Sequence, residues 1–442
     1  MKVNKIVLAL LAAGMSAGFL TSAYADDAAR IKALEDQLQA VQKALAELKA
    51  TMSTKKEVSE LNDQVVLQGK EAVVLGDMPN SFRMPGSETS VRVYGYAEAN
   101  MIKDFKGTAP GDTFTNLAEQ PLNGSNPETG KTVMTAQTSR FGFETSTPTA
   151  SGPFHTVIEG DFYAYVGSKD VMAPDGSTTS VSDNNRLRLR LRHAYGEYAG
   201  WLVGQTWSTF MDLDDIPETV DFNGPVGTPF SRVPMVRYTW NTPTGFSFKG
   251  ALENGSDGAK RPNLVLVAGK SFDDGAINLR FISHEQRSGE LSTTGTGYGL
   301  GGSYKLTGDL TLMGQYAKVD GDADNALMIG ANYPTVDPVS GSLLLDKSAG
   351  YAVGLTNVFN SQWRATLAYG HVESQWNAND PYALSVGPLG NKKLDQLHLN
   401  FFYTPIKNVD LGAEYIQGKR TTYSGEVGDL SRLNLLGRYS FN

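Results

Sequence analysis

The sequence predicts an all-β transmembrane barrel of sixteen antiparallel strands, preceded by an N-terminal α-helical coiled coil. From Ser90 onwards, apolar and polar residues alternate in segments of about ten residues, the length of a tilted membrane strand. The connections between these segments are either tight turns or long polar loops. The mean hydropathy of −0.28 excludes a bundle of transmembrane helices, whereas membrane strands with one polar face stay hydrophilic on average.

Composition excludes several other classes of protein. The chain has 442 residues, no cysteine, five histidines and a formal net charge of −8. The lack of cysteine excludes a disulfide scaffold, a thiol nucleophile and a Cys-ligated metal. The acidic balance argues against a general nucleic-acid binder, which needs a basic face. We predict no cofactor and no metal site.

Residues 1–25 are predicted to be a secretory signal peptide that is cleaved on export. Lys2 and Lys5 supply the positive start, residues 6–20 are apolar, and residues 23–25 read Ala-Tyr-Ala. A basic start, an apolar stretch and a small-x-small cleavage site are the three parts of such a signal. The mature protein is therefore expected outside the cytoplasm.

Residues 26–75 predict a periplasmic coiled coil. Apolar residues follow one another at alternating spacings of three and four, which is the heptad pattern of a coiled-coil seam: Ile31, Leu34, Leu38, Val41, Leu45, Leu48 and Met52. A coiled coil of this length is only marginally stable by itself. We therefore expect it to be stabilised by a homo-oligomer that assembles through another part of the chain. The alternative is a periplasmic helix that is partly disordered. Residues 76–90 are predicted to be a linker.

Residues 91–442 are predicted to form the barrel. We place its strands at 91–102, 139–147, 154–166, 186–199, 201–210, 233–242, 246–255, 263–272, 276–286, 297–306, 310–319, 349–359, 363–375, 394–404, 410–419 and 431–442. Seven gaps are tight and rich in the Gly, Pro, Asn and Asp that turns need: 148–153, 199–200, 242–245, 273–275, 307–309, 360–362 and 405–408. The other gaps are mostly long, for example 103–138, 167–185, 211–232, 320–348 and 376–393. This asymmetry is typical of an outer-membrane barrel with both ends in the periplasm.

The two faces of the strands indicate that the barrel holds water. In the last strand Leu433 and Leu435 share one face, while Arg432 and Arg438 share the other. A barrel of this size is wide enough for an aqueous lumen, so the polar face points inwards. Aromatic residues beside the tight turns predict an interfacial girdle: Phe154, Trp201, Phe246, Phe272, Phe359, Trp363 and Tyr403.

A run of alternating arginine and leucine at residues 186–192 predicts a basic ladder in the lumen. Alternation sends its arginines to one face, and a guanidinium in lipid costs about 2–4 kcal/mol near the midplane. The predicted pore-lining residues are Arg186, Arg188, Arg190, Arg192, Arg237, Arg364 and Arg438. Inward acids such as Glu159 and Asp161 neutralise part of the ladder, but fewer acids than bases are predicted inside. A net positive lumen favours small anions.

The connection at 211–232 is acidic and rich in proline, and it is predicted to fold into the lumen as a constriction loop. Its acids are Asp212, Asp214, Asp215, Glu218 and Asp221. The alternative is an ordinary acidic surface loop, because exposed loops are usually polar.

Four blocks of sequence resemble the DcaP-like outer-membrane porins. They are residues 74–96, residues 186–198, residues 204–210 and the stretch Pro217-Glu-Thr-Val-Asp-Phe-Asn-Gly-Pro225. The resemblance covers essentially the mature chain. It implies a homotrimer of sixteen-stranded barrels in the bacterial outer membrane, a periplasmic coiled coil, and diffusion of small anions, notably dicarboxylates and aromatic dicarboxylic acids. The chain departs from the usual porin end, because Asn442 follows Phe441.

Other functions remain as alternatives or are set aside. A phosphate- or pyrophosphate-selective porin would use the same arginines. A structural tether would link the outer membrane to the cell wall through the coiled coil. The Gly297–Gly302 motif lacks the following helix that a dinucleotide site needs, and its glycines are interpreted as a closely packed strand face. The histidines show no catalytic signature, so no enzyme is predicted. The expected partners are lipid, lipopolysaccharide, small anionic solutes and the cell wall.

Overall fold

The computed structural model describes residues 36, 38–43, 46, 74–107, 113–125, 130–163, 169–172, 178–181, 189–256, 258–330 and 333–441. Residues 36, 38–43 and 46 are helical. The predicted signal peptide and the rest of the predicted coiled coil lie outside the described residues. Among the described residues, no helix is long and apolar enough to cross a membrane.

Within the described residues, sixteen antiparallel strands form a closed barrel, as predicted. They are β1 Ser90–Lys106, β2 Arg140–Thr147, β3 Phe154–Asp161, β4 Arg190–Tyr198, β5 Trp201–Trp207, β6 Arg232–Asn241, β7 Phe246–Glu253, β8 Asn263–Phe272, β9 Gly275–Ser288, β10 Leu291–Lys305, β11 Leu310–Asp320, β12 Lys347–Val358, β13 Trp363–Ser374, β14 Asn391–Ile406, β15 Val409–Thr422 and β16 Val427–Phe441. Each strand pairs with its neighbours in sequence, and β16 pairs with β1. This last pairing, with Arg438 opposite Glu98, closes the barrel and leaves no open edge.

Shorter elements decorate the connections. The described barrel connections contain the short helices α1 Ala323–Leu327 and α2 Pro381–Val386, and 3₁₀ turns at Leu117–Glu119 and Leu213–Asp215. Short strands lie at Val74–Leu75, Phe82–Arg83, Thr132–Thr135, Lys169–Met172, Thr178–Val181, Thr335–Val336 and Leu343–Leu344. The Thr132–Thr135 strand pairs with residues 100–103 of β1, and residues 90–96 of β1 pair with β2.

One end of the barrel carries the seven predicted tight turns, within the part of the chain that the structure describes. Two of them contain non-glycine residues with positive φ, Ala199 (50°) and Asn408 (72°), which is the conformation that such tight turns use. The other end carries the long loops. There, β9 and β10 are joined by only residues 289–290, because both strands run several residues further than the alternation alone predicts.

The outer face of the barrel is apolar and carries aromatic residues at two levels. Beside the tight turns, Trp201, Phe246 and Trp363 are exposed, as predicted for the periplasmic girdle. A second level lies toward the long loops and consists of exposed or half-buried tyrosines: Tyr298, Tyr316, Tyr351, Tyr369 and Tyr415. Aromatic belts at both levels mark the two interfaces of the hydrocarbon layer.

One of the places where strict alternation fails lies between β3 and β4. The register slips between Glu159 and Gly160, so that Glu159 faces His193 while Gly160 faces Leu191. This β-bulge turns both Arg192 and His193 inward. The strand begins at Arg190, and Arg186 and Arg188 lie outside the described residues.

Loops fill much of the outer half of the barrel and pack on its inner wall. Their apolar side chains form a buried cluster with residues of the strands. Its members include Leu117, Phe210, Val226, Leu327, Ile329, Leu394 and Ile416. The connections at 113–125, 208–231 and 321–346 therefore narrow the lumen from this end.

Candidate functional site

The connection between β5 and β6, residues 208–231, folds into the lumen and is here called the constriction loop. It is the loop predicted at 211–232, and it follows the inner wall from β9 to β15. Asp212, Asp215 and Glu218 meet partners on that wall in chain order. Asn278 Nδ2 donates to Asp215 Oδ2 at 2.6 Å and to Asp212 Oδ2 at 3.2 Å. Arg280 Nη2 lies 3.9 Å from Asp215 Oδ2.

Burial of Asp215 changes its acidity. The side chain is 1% exposed, and burial raises the pKa of Asp215 to about 6, against the lowering effect of the Asn278 hydrogen bond. Because an ionised carboxylate in a low-dielectric site is costly, its anionic form is only moderately favoured at neutral pH. Asp214, by contrast, is exposed.

The middle of the constriction loop is held by a bidentate ion pair. Arg364 Nε and Nη2 each donate to a carboxylate oxygen of Glu218 at 2.8 Å. Arg364 Nη1 also donates to Asp410 Oδ1 at 3.2 Å. The planar guanidinium matches two carboxylate oxygens, which fixes direction as well as distance. The predicted lumen residue Arg364 therefore anchors the predicted acid Glu218.

A buried carboxylate on β15 fixes the next part of the constriction loop. Glu414 accepts from Val220 N at 3.0 Å and from Asp221 N at 2.9 Å. His398 Nδ1 and Asn400 Nδ2 contact the same carboxylate at 3.3 and 3.1 Å. Glu414 thus supplies a charged acceptor for two buried backbone N–H groups of the loop. Such charge-assisted hydrogen bonds are a strong class.

Asp221 faces away from that wall toward the loop between β1 and β2. Its Oδ2 accepts from Thr115 N at 3.0 Å and from the Thr115 hydroxyl, and its Oδ1 accepts from Asn223 N at 3.0 Å. Burial raises the pKa of this carboxyl. The residue therefore ties the constriction loop to the 113–125 segment.

Glycines on the inner wall make room for the constriction loop. A Cβ built on Gly354 would lie 2.5 Å from Pro217 Cγ, and one on Gly412 would lie 3.0 Å from Val220 Cγ2. Gly301 touches Asp215 in the same way. Gly301 belongs to the Gly297–Gly302 motif, so close packing explains that motif, as the sequence suggested.

The opposite wall carries arginines paired with two acids. Arg190 donates to Asp161 through Nε at 2.9 Å and Nη2 at 2.6 Å. Arg192 donates to Glu159 Oε1 at 2.7 Å and to Asp161 Oδ2 at 2.9 Å. Arg140 Nη1 lies 3.4 Å from Glu159 Oε1. These contacts match the predicted neutralisation of part of the arginine row by the preceding strand.

Arg232 completes a basic cluster on this wall. Arg140, Arg190 and Arg192 all lie close enough to repel its guanidinium, which stacks 4.3 Å from the Trp207 ring centroid. This basic cluster (Arg140, Arg190, Arg192 and Arg232) has four guanidinium groups and two carboxylates, and the carboxylates pair with Arg140, Arg190 and Arg192 but not with Arg232. An excess of two positive charges results.

The tip of the constriction loop reaches the basic cluster. The Phe222 ring centroid lies 5.3 Å from Arg192 Cζ and 5.8 Å from Arg140 Cζ. Phe222 also meets Phe114 edge to face at 4.7 Å. The lumen is therefore bridged at this level by aromatic rings that lie against cations.

The other predicted arginines divide into paired and unpaired groups. Arg438 Nε donates to Glu98 Oε2 at 2.6 Å. Arg237 forms no ion pair with the residues that the structure describes, and its buried Nε has no hydrogen-bond partner there; the same is true of Arg232 Nη1. Buried guanidinium donors without a partner are unusual, because a buried donor that makes no hydrogen bond costs free energy.

The lumen also holds acids that the sequence prediction did not count. Asp104, Glu253 and Asp410 all face inward. Asp104 lies beyond the predicted end of the first strand. Glu253 accepts from Ser208 Oγ at 2.7 Å and Thr209 N at 2.5 Å, so it holds the start of the constriction loop. The positive excess is thus local to the basic cluster and does not extend over the whole lumen.

Comparison with known proteins identifies the family. A family model described as DcaP outer membrane protein matches residues 28–441. The chain belongs to the DcaP outer membrane protein family. Its structure is similar to that of the outer membrane channel DcaP of Acinetobacter baumannii, with 27% identity, a TM-score of 0.68, and coverage of 81% of this chain and 99% of that chain. No match is found among curated protein sequences.

Porins with lower identity share the fold alone. An anion-selective porin from Comamonas acidovorans is 15% identical, with a TM-score of 0.52 and coverage of 80% of this chain and 100% of that chain. OmpT of Vibrio cholerae, in trimer form, is 14% identical, with a TM-score of 0.52 and coverage of 80% and 99%. This DcaP family member is therefore an outer-membrane channel of the porin type, located in the bacterial outer membrane, and not an enzyme.

Proposed function

We propose that this DcaP family channel passes small anionic solutes by passive diffusion, with dicarboxylates and aromatic dicarboxylic acids as the preferred class. The single observation that carries this proposal is the basic cluster at the level of the constriction loop tip. Its two excess positive charges lower the barrier for an anion at this level. Four of the five acids of the constriction loop do not cancel this effect, because partners on the wall or on the 113–125 segment already occupy their oxygens; the fifth, Asp214, is exposed.

Unpaired donors support a role in contacting solutes. Arg232 Nη1, Arg237 Nε and Arg140 Nε lack a hydrogen-bond partner among the described residues. These atoms are themselves buried, but the three side chains are only half-buried, so a passing carboxylate would meet the accessible edges of their guanidinium groups with two oxygens at once. Because the contacts are few and spread along the wall, each is weak enough for the solute to leave again.

Aromatic rings beside the cations favour aromatic acids. Arg190 Cζ lies 5.5 Å from the Phe114 centroid and 5.3 Å from the Tyr163 centroid. A planar aromatic acid can stack on such a ring while its carboxylates face guanidinium groups. The row that begins at Arg186 and Arg188 would extend the same path towards the outside.

Two alternatives remain. A phosphate- or pyrophosphate-selective pore would use the same guanidinium groups, since they suit phosphate oxygens as well as carboxylates. A structural tether would carry no current. Arginine rather than lysine forms the basic cluster, which favours planar carboxylates as the preferred anions.

We also propose that the mature channel is a homotrimer, with residues 26–75 as a periplasmic coiled coil after cleavage of residues 1–25. The solved OmpT neighbour is described as a trimer. Leu38 and Val41, two of the predicted seam residues, are 59% and 50% exposed in the single chain. Apolar seam residues need partner helices to bury them. The coiled coil would then be placed to contact the cell wall.

The test is the reversal potential of purified protein in a planar bilayer under a salt gradient. Arg232→Gln and Arg237→Gln are the informative variants, because neither arginine is ion-paired within the described part of the chain and no acid is left unpaired. We expect anion selectivity that falls in both variants. Lys318→Gln removes the same charge from the outer face and should leave selectivity unchanged.

Substrate class is read from currents carried by different anions. Phthalate and succinate currents above the phosphate current would support the dicarboxylate proposal, and the reverse order would favour the phosphate pore. Cation selectivity of the wild-type channel would contradict both. If the protein showed no conductance at all, the structural tether would be the remaining alternative.

A further inference from the structure

The outer face of the barrel becomes polar above the tyrosines at the long-loop end. His371, Lys393 and Asp395 point outward there, on β13 and β14. His371 Nδ1 lies 2.9 Å from Asp395 Oδ1, and Lys393 Nζ lies 3.1 Å from Asp395 Oδ2. Tyr369 donates its hydroxyl to the same carboxylate at 2.6 Å. Charged groups that face away from the lumen at this height lie where the membrane surface begins.

Beside this network is an outward hollow of about 400 Å³ that spans β14, β15, β16 and the end of β1. Two lysines stand at its rim, Lys106 on β1 and Lys419 on β15. Register places Lys419 opposite Asp429, and Ser431 opposite Lys106. The polar lining of the hollow is completed by Tyr415 and Gln417.

The free charge of this hollow is positive. Lys106 and Lys419 are exposed, and neither forms an ion pair with a residue that the structure describes. Asp395 is already engaged by Lys393 and His371. Asp429 accepts from the neutral Asn123 Nδ2 at 3.0 Å and keeps its charge, so the two lysines exceed it by one positive charge. Two unpaired ammonium groups, with a hydroxyl and an amide beside them, form a site for an anion.

The wall below the hollow is apolar down to the periplasmic girdle. Leu397, Leu399 and Phe401 point outward on β14 and are 38%, 42% and 47% exposed. Below them Tyr403 stacks on Trp363, with centroids 4.4 Å apart. A ligand held here therefore meets cations at its top and a continuous hydrocarbon surface beneath.

We propose that this hollow is a binding site for lipopolysaccharide, in which Lys106 and Lys419 hold a phosphate of the acylated glucosamine disaccharide and the acyl chains lie along Leu397, Leu399 and Phe401. The proposal goes beyond solute transport, because every group in it faces away from the lumen. Charge complementarity selects the occupant, since this anionic glycolipid forms the outer leaflet of the membrane in which the channel resides. The site would hold one lipid in place beside the barrel.

The test is binding of the bisphosphorylated lipid A moiety to the full-length protein in detergent, followed by native mass spectrometry. The variant Lys106→Gln/Lys419→Gln is expected to bind about 10- to 30-fold more weakly than wild type, because each lysine near an anionic lipid contributes about a factor of five. The matched control is Lys305→Gln/Lys407→Gln, which removes two exposed lysines at the tight-turn end. Heat-modifiable mobility on gels verifies that all forms are folded.

Two further arms distinguish the source of the phosphate. Lipid A without its phosphates should bind wild type and the Lys106→Gln/Lys419→Gln variant equally weakly. Inorganic phosphate is added at about 10 mM, a concentration that would saturate a site for phosphate alone. It should not displace the lipid, because the proposed site also contacts the acyl chains. Equal binding by wild type and this variant, an equal loss in the control, or full displacement by inorganic phosphate would each overturn the proposal.

Discussion

Glu218 and Arg364 join the constriction loop to the barrel wall through two parallel hydrogen bonds, each 2.8 Å long. The pair connects residues 146 positions apart in the chain. It also neutralises a cation that the sequence predicts to be available to solutes. The position of the loop and the charge of the lumen are therefore set by the same contact.

Glu218→Gln should loosen the constriction loop and raise anion selectivity. The amide cannot form the charged bidentate pair, and Arg364 then keeps Asp410 as its acidic partner and Thr404 as a neutral one. Single-channel recordings should show larger current fluctuations and a higher chloride-to-potassium permeability ratio. Asp214→Asn is the matched control, since it removes an exposed loop charge without a wall contact; equal effects of both variants would contradict the anchoring role.

Gly354→Val should displace the constriction loop at Pro217. A Cβ at Gly354 would lie 2.5 Å from Pro217 Cγ, and the barrel backbone is less able to move than a loop. We expect altered conductance with an unchanged folded barrel. Gly308→Val, in a tight turn where a Cβ meets no atom within 4 Å, is the control, and its conductance should match wild type.

Arg192→Met should destabilise the barrel much more than Arg190→Gln. Arg192 is 2% exposed and contacts both Glu159 and Asp161, so its loss leaves buried acids with reduced compensation, at a cost of about 3–5 kcal/mol. Arg190 is more exposed, and Arg192 still pairs with Asp161 after its loss. Urea unfolding of both variants in detergent measures the difference, and similar midpoints would contradict this ranking.

Asp346 should make the packing of α1 depend on pH. Its Oδ2 accepts from Ala323 N at 2.8 Å, and burial raises the pKa of Asp346 to about 7 from 3.8, with nearby Asp322 adding to the effect. The raised pKa means that the folded state favours the neutral form. Its stabilisation is full below pH 3.8 and is lost as the pH rises through about 7.

Hydrogen exchange over residues 321–330, corrected for the intrinsic rate, tests this dependence at pH 5 and pH 8. Protection should be greater at pH 5, and Asp346→Asn should remove most of the difference. α1 accepts backbone hydrogen bonds from the constriction loop, from Gly227 N to Leu327 O and from Phe230 N to Asn325 O, both at 3.0 Å. Greater protection at pH 8 would contradict the assignment.

The strands and turns were predictable because their signals are local. Period-two alternation fixed the faces, and residues such as Ala199-Gly200 and Asn408 marked the turns. The bulge that turns His193 inward has no such signal, because it depends on how β3 and β4 meet. Strand ends beyond the alternation were missed for the same reason, which is why Asp104 was not counted.

The sequence predicts the presence and the acidic character of the constriction loop, but not its contacts. Its prolines and acids indicated a stiff acidic segment, yet the partners of Glu218 and Asp221 are set by the closed barrel. Clamping acids such as Glu414 and Glu253 were not predicted as partners of the loop, because a carboxylate that accepts backbone N–H groups has no sequence pattern of its own. The glycine motif at 297–302 was interpreted as close packing, and Gly301 meets Asp215.

The wall partners of the constriction loop follow the order of the chain, and this has a consequence for assembly. Asp215 can meet Asn278 once the ninth strand is in place, Glu218 must wait for Arg364, and Val220 lies 194 positions before Glu414. Contacts so distant in sequence form late, because the intervening chain must be ordered first. A barrel that still lacks its last strands would therefore have a wide pore without a constriction. The constriction would form only when insertion is complete.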